Sequence, residues 1–396
     1  MERWNRNLRL VLWIRILFAL IFSLPVISLY WQTHGMDLAD VFWLQAIFAV
    51  AIIILEVPTG YIGDRIGRKK TLILACAMAS IGWSIYAIAD SFIWFVLLEI
   101  ILGCGFAFLS GTDTALVFES LQASGRAAEV TRVSGRQLSL SHWAEGAAAL
   151  SGGLAASVLS TECLLVASRL ATLIALGLAL GITDPPRESY SHPRGTLYGI
   201  YKIARFAFLR SSMVRYVLPF MSVCSLATML GVWLYQPLWQ NSGVPLWLFG
   251  VLWAALSFPT GLAGHWAHHL EQKLGTRRLI MLMPLFPITG YLLMAVLPGW
   301  TALCAVYLVP VLRGLAHPVL ARFVHEETWS DKRATVFSLE SWLFRLLYFT
   351  FGPVVGYAAR DWSLDAAFAL SAGIVLVLSL PLMLRLLAAL RRRKGG

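Results

Sequence analysis

Apolar and polar positions alternate along this chain in long blocks. Twelve runs are each close to the roughly 20 residues that cross a hydrocarbon core, separated by breaks rich in Gly, Pro and charge. They cover about 8–30, 38–62, 71–89, 92–121, 136–159, 163–182, 213–240, 246–270, 277–297, 300–323, 335–359 and 364–387. None alternates with period two, as barrel strands would, so the pattern predicts twelve transmembrane helices. The longest polar break, 184–212, opens with Asp184-Pro185-Pro186 and continues as a basic, amphipathic stretch from Leu197 to Leu209. That stretch predicts a helix lying at the lipid headgroups. The expected organisation is therefore a six-helix bundle over 1–183, a linker over 184–212 and a second six-helix bundle over 213–396.

Composition agrees. Hydrophobic residues make up 58% of the chain and charged residues 13%, against about a quarter charged in a soluble domain. The formal charge of +11 would suit nucleic acid, but the basic residues sit in the short breaks rather than on a polar domain. Cys76, Cys104, Cys163, Cys224 and Cys304 all lie in apolar runs without metal or disulfide spacing, which predicts core thiols. The first apolar run is too long for a signal peptide and is expected to be retained.

The basic residues also set an orientation. Of 32 Lys and Arg, 25 fall on the termini and the loops of one side, while Arg360 is the base on the opposite loops, beside Asp37, Asp40, Asp90, Glu162, Asp361 and Asp365. The positive-inside rule places both termini in the cytoplasm of a bacterial inner membrane. Trp31, Trp94, Trp239, Trp247, Trp300 and Trp362 fall at the predicted outer ends, as an interfacial belt requires.

Five charges crowd the break between runs two and three, Gly60-Tyr61-Ile62-Gly63-Asp64-Arg65-Ile66-Gly67-Arg68-Lys69-Lys70. A degraded copy, Lys273-Leu274-Gly275-Thr276-Arg277-Arg278, follows run eight, with Gln272 in the place of Asp64. The order Gly60-x-x-x-Asp64-Arg65-x-Gly67-Arg68-Lys69 resembles the signature loop of the major facilitator superfamily. The resemblance extends over the chain in topology and implies an all-α fold of two pseudo-symmetric six-helix bundles. It further implies that Gly60 admits a close helix neighbour and Gly67 a tight turn. Asp64 would latch onto the N-terminus of helix eleven, near Arg333. The run Ser110 to Ser120 resembles bacterial efflux permeases. Glu99 stands where many relatives have Arg, and Gly152-Gly153 lacks the proline that follows glycine in many exporters.

A charge near the bilayer centre costs about 2.5–3.5 kcal/mol on insertion scales and marks a functional candidate. Glu145, Arg313 and Arg345 lie within roughly 5 Å of their span midpoints at about 1.5 Å per residue. His142, Arg15, His317, Glu340, Asp113 and Glu56 lie toward the cytoplasm, and Glu99 and Arg169 in the outer half. His142 and Glu145 share a helix face. They suit proton coupling, with Asp113 and Glu56 as further carriers, or form a static pair. Arg15, Arg313, His317, Arg345 and Glu99 are the substrate-binding candidates. The guanidiniums favour an anionic or zwitterionic ligand or neutralise Glu145, Glu340 and Asp113 internally. His265, His268 and His269 read as a solvated loop rather than a metal site. Trp143, Trp233, Tyr235 and Trp253 are candidates for a pocket lining, but at helical spacing they read as lipid-facing or packing groups.

The expected function is secondary transport of a small organic molecule, not an enzyme activity. Proton-coupled efflux of a metabolite, siderophore or drug by a monomer in the lipid bilayer is the first reading. Proton-coupled uptake of an anionic nutrient or metal chelate is the second, and a sensor or membrane enzyme on the same fold the third. No cofactor, metal or nucleic acid is expected, and the chain has no phosphate-binding GxxxxGK[ST] motif.

Overall fold

A computed structural model describes residues 2–86, 88–185, 202–329 and 333–395. These residues are helical nearly throughout and contain no strand. The first half supplies α1 (Glu2–Ala19), α2 (Ile27–Thr33), α3 (Leu38–Ile66), α4 (Arg68–Tyr86), α5 (Phe92–Leu109), α6 (Thr112–Ala123), α7 (Val130–Ala156) and α8 (Thr161–Leu180). The second supplies α9 (Val214–Asn241), α10 (Leu246–Ala255), α11 (Ser257–Leu274), α12 (Thr276–Leu282), α13 (Leu285–Val296), α14 (Gly299–Val306), α15 (Leu308–Glu327), α16 (Arg333–Asp361) and α17 (Leu364–Gly395). Of the expected headgroup helix, the described part ends in a π turn over Phe206–Arg210, with Lys202, Arg205 and Arg210 exposed and Ala207 buried. Arg187, Arg194 and Lys332, counted among the loop charges, lie outside the described residues.

Five predicted spans are each two helices rather than one. Proline lies at four of the breaks and explains two of them, because its ring clashes with the carbonyl four residues earlier. Pro259 meets Ala255, where α10 ends, and Pro310 meets Val306, where α14 ends. Pro284 occupies the break between α12 and α13, and Pro25 the gap between α1 and α2. The fifth break, between α5 and α6, is made by Gly111 at φ +78°.

Eight stretches are long and apolar enough to cross a membrane, from Leu38–Glu56 to Leu364–Arg393. The remaining four predicted spans are those containing α1, α4, α7 and α16. They carry Arg15, the Arg68–Lys70 run, the His142 and Glu145 pair, and Glu340 with Arg345. The other intramembrane charges, Glu56, Glu99, Asp113, Arg169, Arg313 and His317, lie on stretches that remain apolar enough to span.

The helices form two compact units. The first comprises Met1–Gly35, Ile47–Gly195 and Leu246–Ala254. Its core gathers Val11 and Ile14 of α1, Leu72 and Cys76 of α4, and Leu116 of α6. Gly153 and Gly250 bring α7 and α10 into backbone contact, and Gly152 brings α7 against the Phe22 carbonyl, so no side chain fits at these positions. Gly146, on the same helix, faces open space.

The second unit comprises Met36–Ala46, Thr196–Pro245 and Ala255–Gly396. Its axis is α9, whose apolar window is 72% buried, packed on α15, α16 and α17. The start of α3 belongs to this unit. Asp37 and Asp40 cap it reciprocally, each carboxylate accepting the other's backbone N–H. Phe42 stacks on Tyr348, and Trp43 Nε1 donates to the Tyr357 hydroxyl at 3.2 Å. The buried aromatics Trp233, Tyr235 and Trp253 are packing groups, as expected, whereas Trp143 is 76% exposed.

Candidate functional site

The charged loop of the first unit is a tight corner between α3 and α4. Gly67, at φ +106°, is the residue between the two helices, and its conformation excludes ordinary L side chains. The close helix approach falls on Gly63, where a Cβ would meet the Thr71 side chain at 3.1 Å. Gly60, expected to make that approach, faces open space instead, because its position on α3 is exposed. Arg65 lies over the Tyr61 ring at 5.0 Å. Arg68 Nε donates to Glu119 Oε1 of α6 at 3.0 Å, both side chains being 19% exposed. The Lys69 backbone N–H donates to Asp184 Oδ1 at 2.9 Å, so a carboxylate past the end of α8 sits on the positive end of α4. The Asp64 side chain lies outside the described part of the structure. Arg333 donates to the carbonyls of His325 (2.9 Å) and Thr328 (3.2 Å), closing the C-terminal end of α15.

The second copy of the loop has the same corner. Gly275, at φ +79°, separates α11 from α12. Arg322 of α15 pairs with Glu271 at 2.9 Å and reaches the Thr276 hydroxyl at 3.4 Å, while Thr276 donates to Glu271 at 2.7 Å. Arg393 of α17 pairs with Glu326 at 2.8 Å. Gln272, in the place of Asp64, bonds His268 at 2.9 Å. Next to this loop the Glu327 carboxylate accepts from the Ser211 hydroxyl, the Ser212 hydroxyl (3.4 Å) and the Met213 N–H (3.3 Å), which caps the entrance to α9.

Within the spans of the first unit, Arg15 of α1 donates to Asp113 Oδ2 of α6 at 2.7 Å. The aspartate side chain is 8% exposed and the arginine 30%, so the acid is enclosed and the guanidinium keeps an open side. Asp113 Oδ1 also accepts from the Thr114 N–H (2.6 Å) and hydroxyl (3.0 Å). That full set of donors fixes Asp113 as an anchor for Arg15. His142 and Glu145 meet at 3.4 Å, with side chains 52% and 43% exposed. Glu99 is buried at 5% exposure and Glu56 is partly buried.

In the second unit Arg313 and His317 are exposed on one face of α15. The His317 ring stacks on Phe337 of α16, centroids 5.9 Å apart, and His325 lies at 5.6 Å from the same phenyl ring. Arg345 Nε reaches the Ser341 hydroxyl at 3.4 Å. One group here escaped the list of site candidates. Glu340 is half-buried, its carboxylate accepts from the Ser225 hydroxyl of α9 at 3.1 Å, and its backbone carbonyl accepts from Ser222 at 3.0 Å. The signal was available as a lone acid two turns into a greasy helix, but its serine partners lie 115 and 118 residues away. A hydroxyl donating to a charged group contributes about 1.5–3 kcal/mol, less than the several kcal/mol that enclosing an unpaired carboxylate costs.

At the loops outside the spans, the hydrogen-bonded Arg126 guanidinium holds the Glu129 carboxyl below the usual carboxylate range. His265, His268 and His269 are exposed on α11, and the described residues contain no group of His, Cys, Asp and Glu able to hold a metal ion.

The family model of the major facilitator superfamily matches residues 11–346. The chain belongs to the major facilitator superfamily. Its solved structural neighbours agree on the fold. The nucleoside transporter NupG superposes with a TM-score of 0.78 at 15% identity, over 96% of this chain and 100% of its own. A bacterial homologue of the human lysosomal transporter Spinster, inward-facing and unoccupied, gives 0.72 at 15% identity, over 98% and 97%. No curated sequence matches the chain significantly. As a member of this superfamily the chain is a multi-pass membrane protein of transporter fold. Its intramembrane charges sit on helices of both halves.

Proposed function

We propose that this chain is a secondary transporter of a small organic anion or zwitterion, working by alternating access between its two bundles, 1–183 and 213–396. The observation behind the substrate class is the unequal exposure of the intramembrane charges. Arg15, Arg313 and His317 keep open sides, whereas Asp113 and Glu99 are enclosed. A guanidinium open to hydrocarbon costs several kcal/mol, so these groups favour a water-filled path, and guanidinium fixes carboxylate or phosphate through paired hydrogen bonds. The Arg15–Asp113 pair also supports the internal-neutralisation reading for that arginine, but leaves Arg313 and His317 unaccounted for. NupG is a nucleoside transporter by its description. At 15% identity that likeness carries the fold, so the substrate class rests on the residues.

Energy comes from a proton gradient through the His142–Glu145 pair, which is close enough to share a proton and exposed on α7. The direction is efflux across a bacterial inner membrane by a monomer with both termini in the cytoplasm, supported by the loop charges and the resemblance of the Ser110 to Ser120 run to efflux permeases. Asp64 latches the cytoplasmic side in one state. Two measurements test this. Ligand-dependent thermal stabilisation of the purified protein should rank carboxylates and phosphates above cationic drugs, and Arg313→Ala should remove the preference; stabilisation by cations alone would refute the substrate class. In inside-out vesicles, Glu145→Gln should abolish pH-driven transport while leaving substrate exchange intact.

A further inference from the structure

Glu340 stands apart from the other acids of the spans. Asp113 has a guanidinium and two further donors, and Glu145 has an imidazole at 3.4 Å. The Glu340 carboxylate is half-buried at the contact of α9 with α16 and, among the described residues, receives one hydrogen bond, from the neutral Ser225 hydroxyl. No cation of the described residues lies within ion-pair distance of it. The groups that face it are few. Arg345 on its own helix acts on it through charge, and Cys224 on α9 lies in its field. On α15, His317 and His325 face Phe337, one turn away on α16. The membrane part of α17 carries no titratable side chain between Asp365 and Arg385.

We propose that Glu340 is a second proton-binding site, set between α9 and α16 of the second unit and distinct from the His142–Glu145 pair. One carboxylate oxygen takes a proton from water, and the O–H bond that forms removes the charge while the Ser225 hydroxyl continues to donate to the other oxygen. The proton leaves to water again when the carboxylate ionises, and the Ser225 donor stabilises the charge that returns. Ser222 of the same helix holds the Glu340 backbone carbonyl, which keeps the carboxyl at the contact of α9 with α16. The site rests on the transport reading only for the use to which the proton is put.

The test needs no substrate. Infrared difference spectra of the full-length protein in nanodiscs, recorded as pH is lowered, should show the C=O stretching band of a protonated carboxyl. Glu340→Gln should remove that band, and Glu145→Gln should leave it. Ser225→Ala, which deletes the one donor to the ionised form, should move the midpoint of the band alkaline by about one pH unit. A band that survives Glu340→Gln, or a midpoint that Ser225→Ala leaves in place, would overturn the proposal without touching the transport reading. Failure of the vesicle experiment with Glu145→Gln would in turn leave this site standing.

Discussion

The two copies of the charged loop share a geometry and invert its charges. Each turns on a glycine in the left-handed region, Gly67 and Gly275. Each is tied by an ion pair to the helix that follows two spans later. In the first copy the loop gives the base, Arg68, and α6 gives the acid, Glu119. In the second, Thr276 stands in the place of Arg68, α15 gives the base, Arg322, and Glu271 at the end of α11 gives the acid. The last helix of each half follows suit. Asp184 past α8 brings a carboxylate to the first loop, and Arg393 of α17 brings a guanidinium to Glu326 beside the second. What the repeat keeps is a bridged corner; which partner carries which sign is free to change.

If the bridge matters more than its polarity, reversing one partner should hurt and reversing both should not. Arg68→Glu and Glu119→Arg should each lower stability by about 2 kcal/mol, between the values for exposed and buried pairs, and the double variant should regain most of it. Arg322→Glu should cost less, about 1 kcal/mol, since its guanidinium is 44% exposed and screened. Thermal unfolding in detergent reads all four, and a double variant no better than the singles would dissolve the parallel.

The corners themselves are compared by Gly67→Ala and Gly275→Ala. Each should lose about 1–2 kcal/mol, since φ of +106° and +79° both strain an L side chain and Gly275, at ψ 146°, lies outside the left-handed helical well. Equal tolerance of alanine at both would mean that the bridges alone shape the loops.

The smallest effect belongs to the Arg126–Glu129 pair of the first half. Arg126 depresses the Glu129 carboxyl at the entry to α7. A group whose folded value is lowered stabilises above its unfolded range and loses that contribution as pH falls through the lowered value. Hydrogen exchange at the start of α7 should therefore quicken as pH drops through the carboxylate range, once corrected for intrinsic rates, and Arg126→Ala should abolish the change.

The fold was legible because hydrocarbon demands long apolar runs and loop charge follows orientation, both of which are local properties of a sequence. The helix breaks were half-legible. Pro259 and Pro310 mark two of them, yet Pro58 and Pro353 lie inside unbroken helices, so proline alone does not decide. Gly60 was assigned the close packing that Gly63 makes, because the helical phase of α3 relative to its neighbour is not written in the letters. Partners were harder still. Arg15 and Asp113 are 98 residues apart and Arg68 and Glu119 are 51 apart, and nothing in either stretch names the other.

The carboxylate of Glu327 reaches back 116 residues to Ser211. During synthesis at about 5–20 residues per second, the entrance to α9 is made roughly 6–23 s before the group that caps it. Over that interval the Met213 N–H has only water or headgroups for partners, so the first helix of the second bundle enters the bilayer with its N-terminal end untied. The bundle is fastened at that point only after three more spans have been threaded, and a ribosome paused before codon 327 would leave it unfastened.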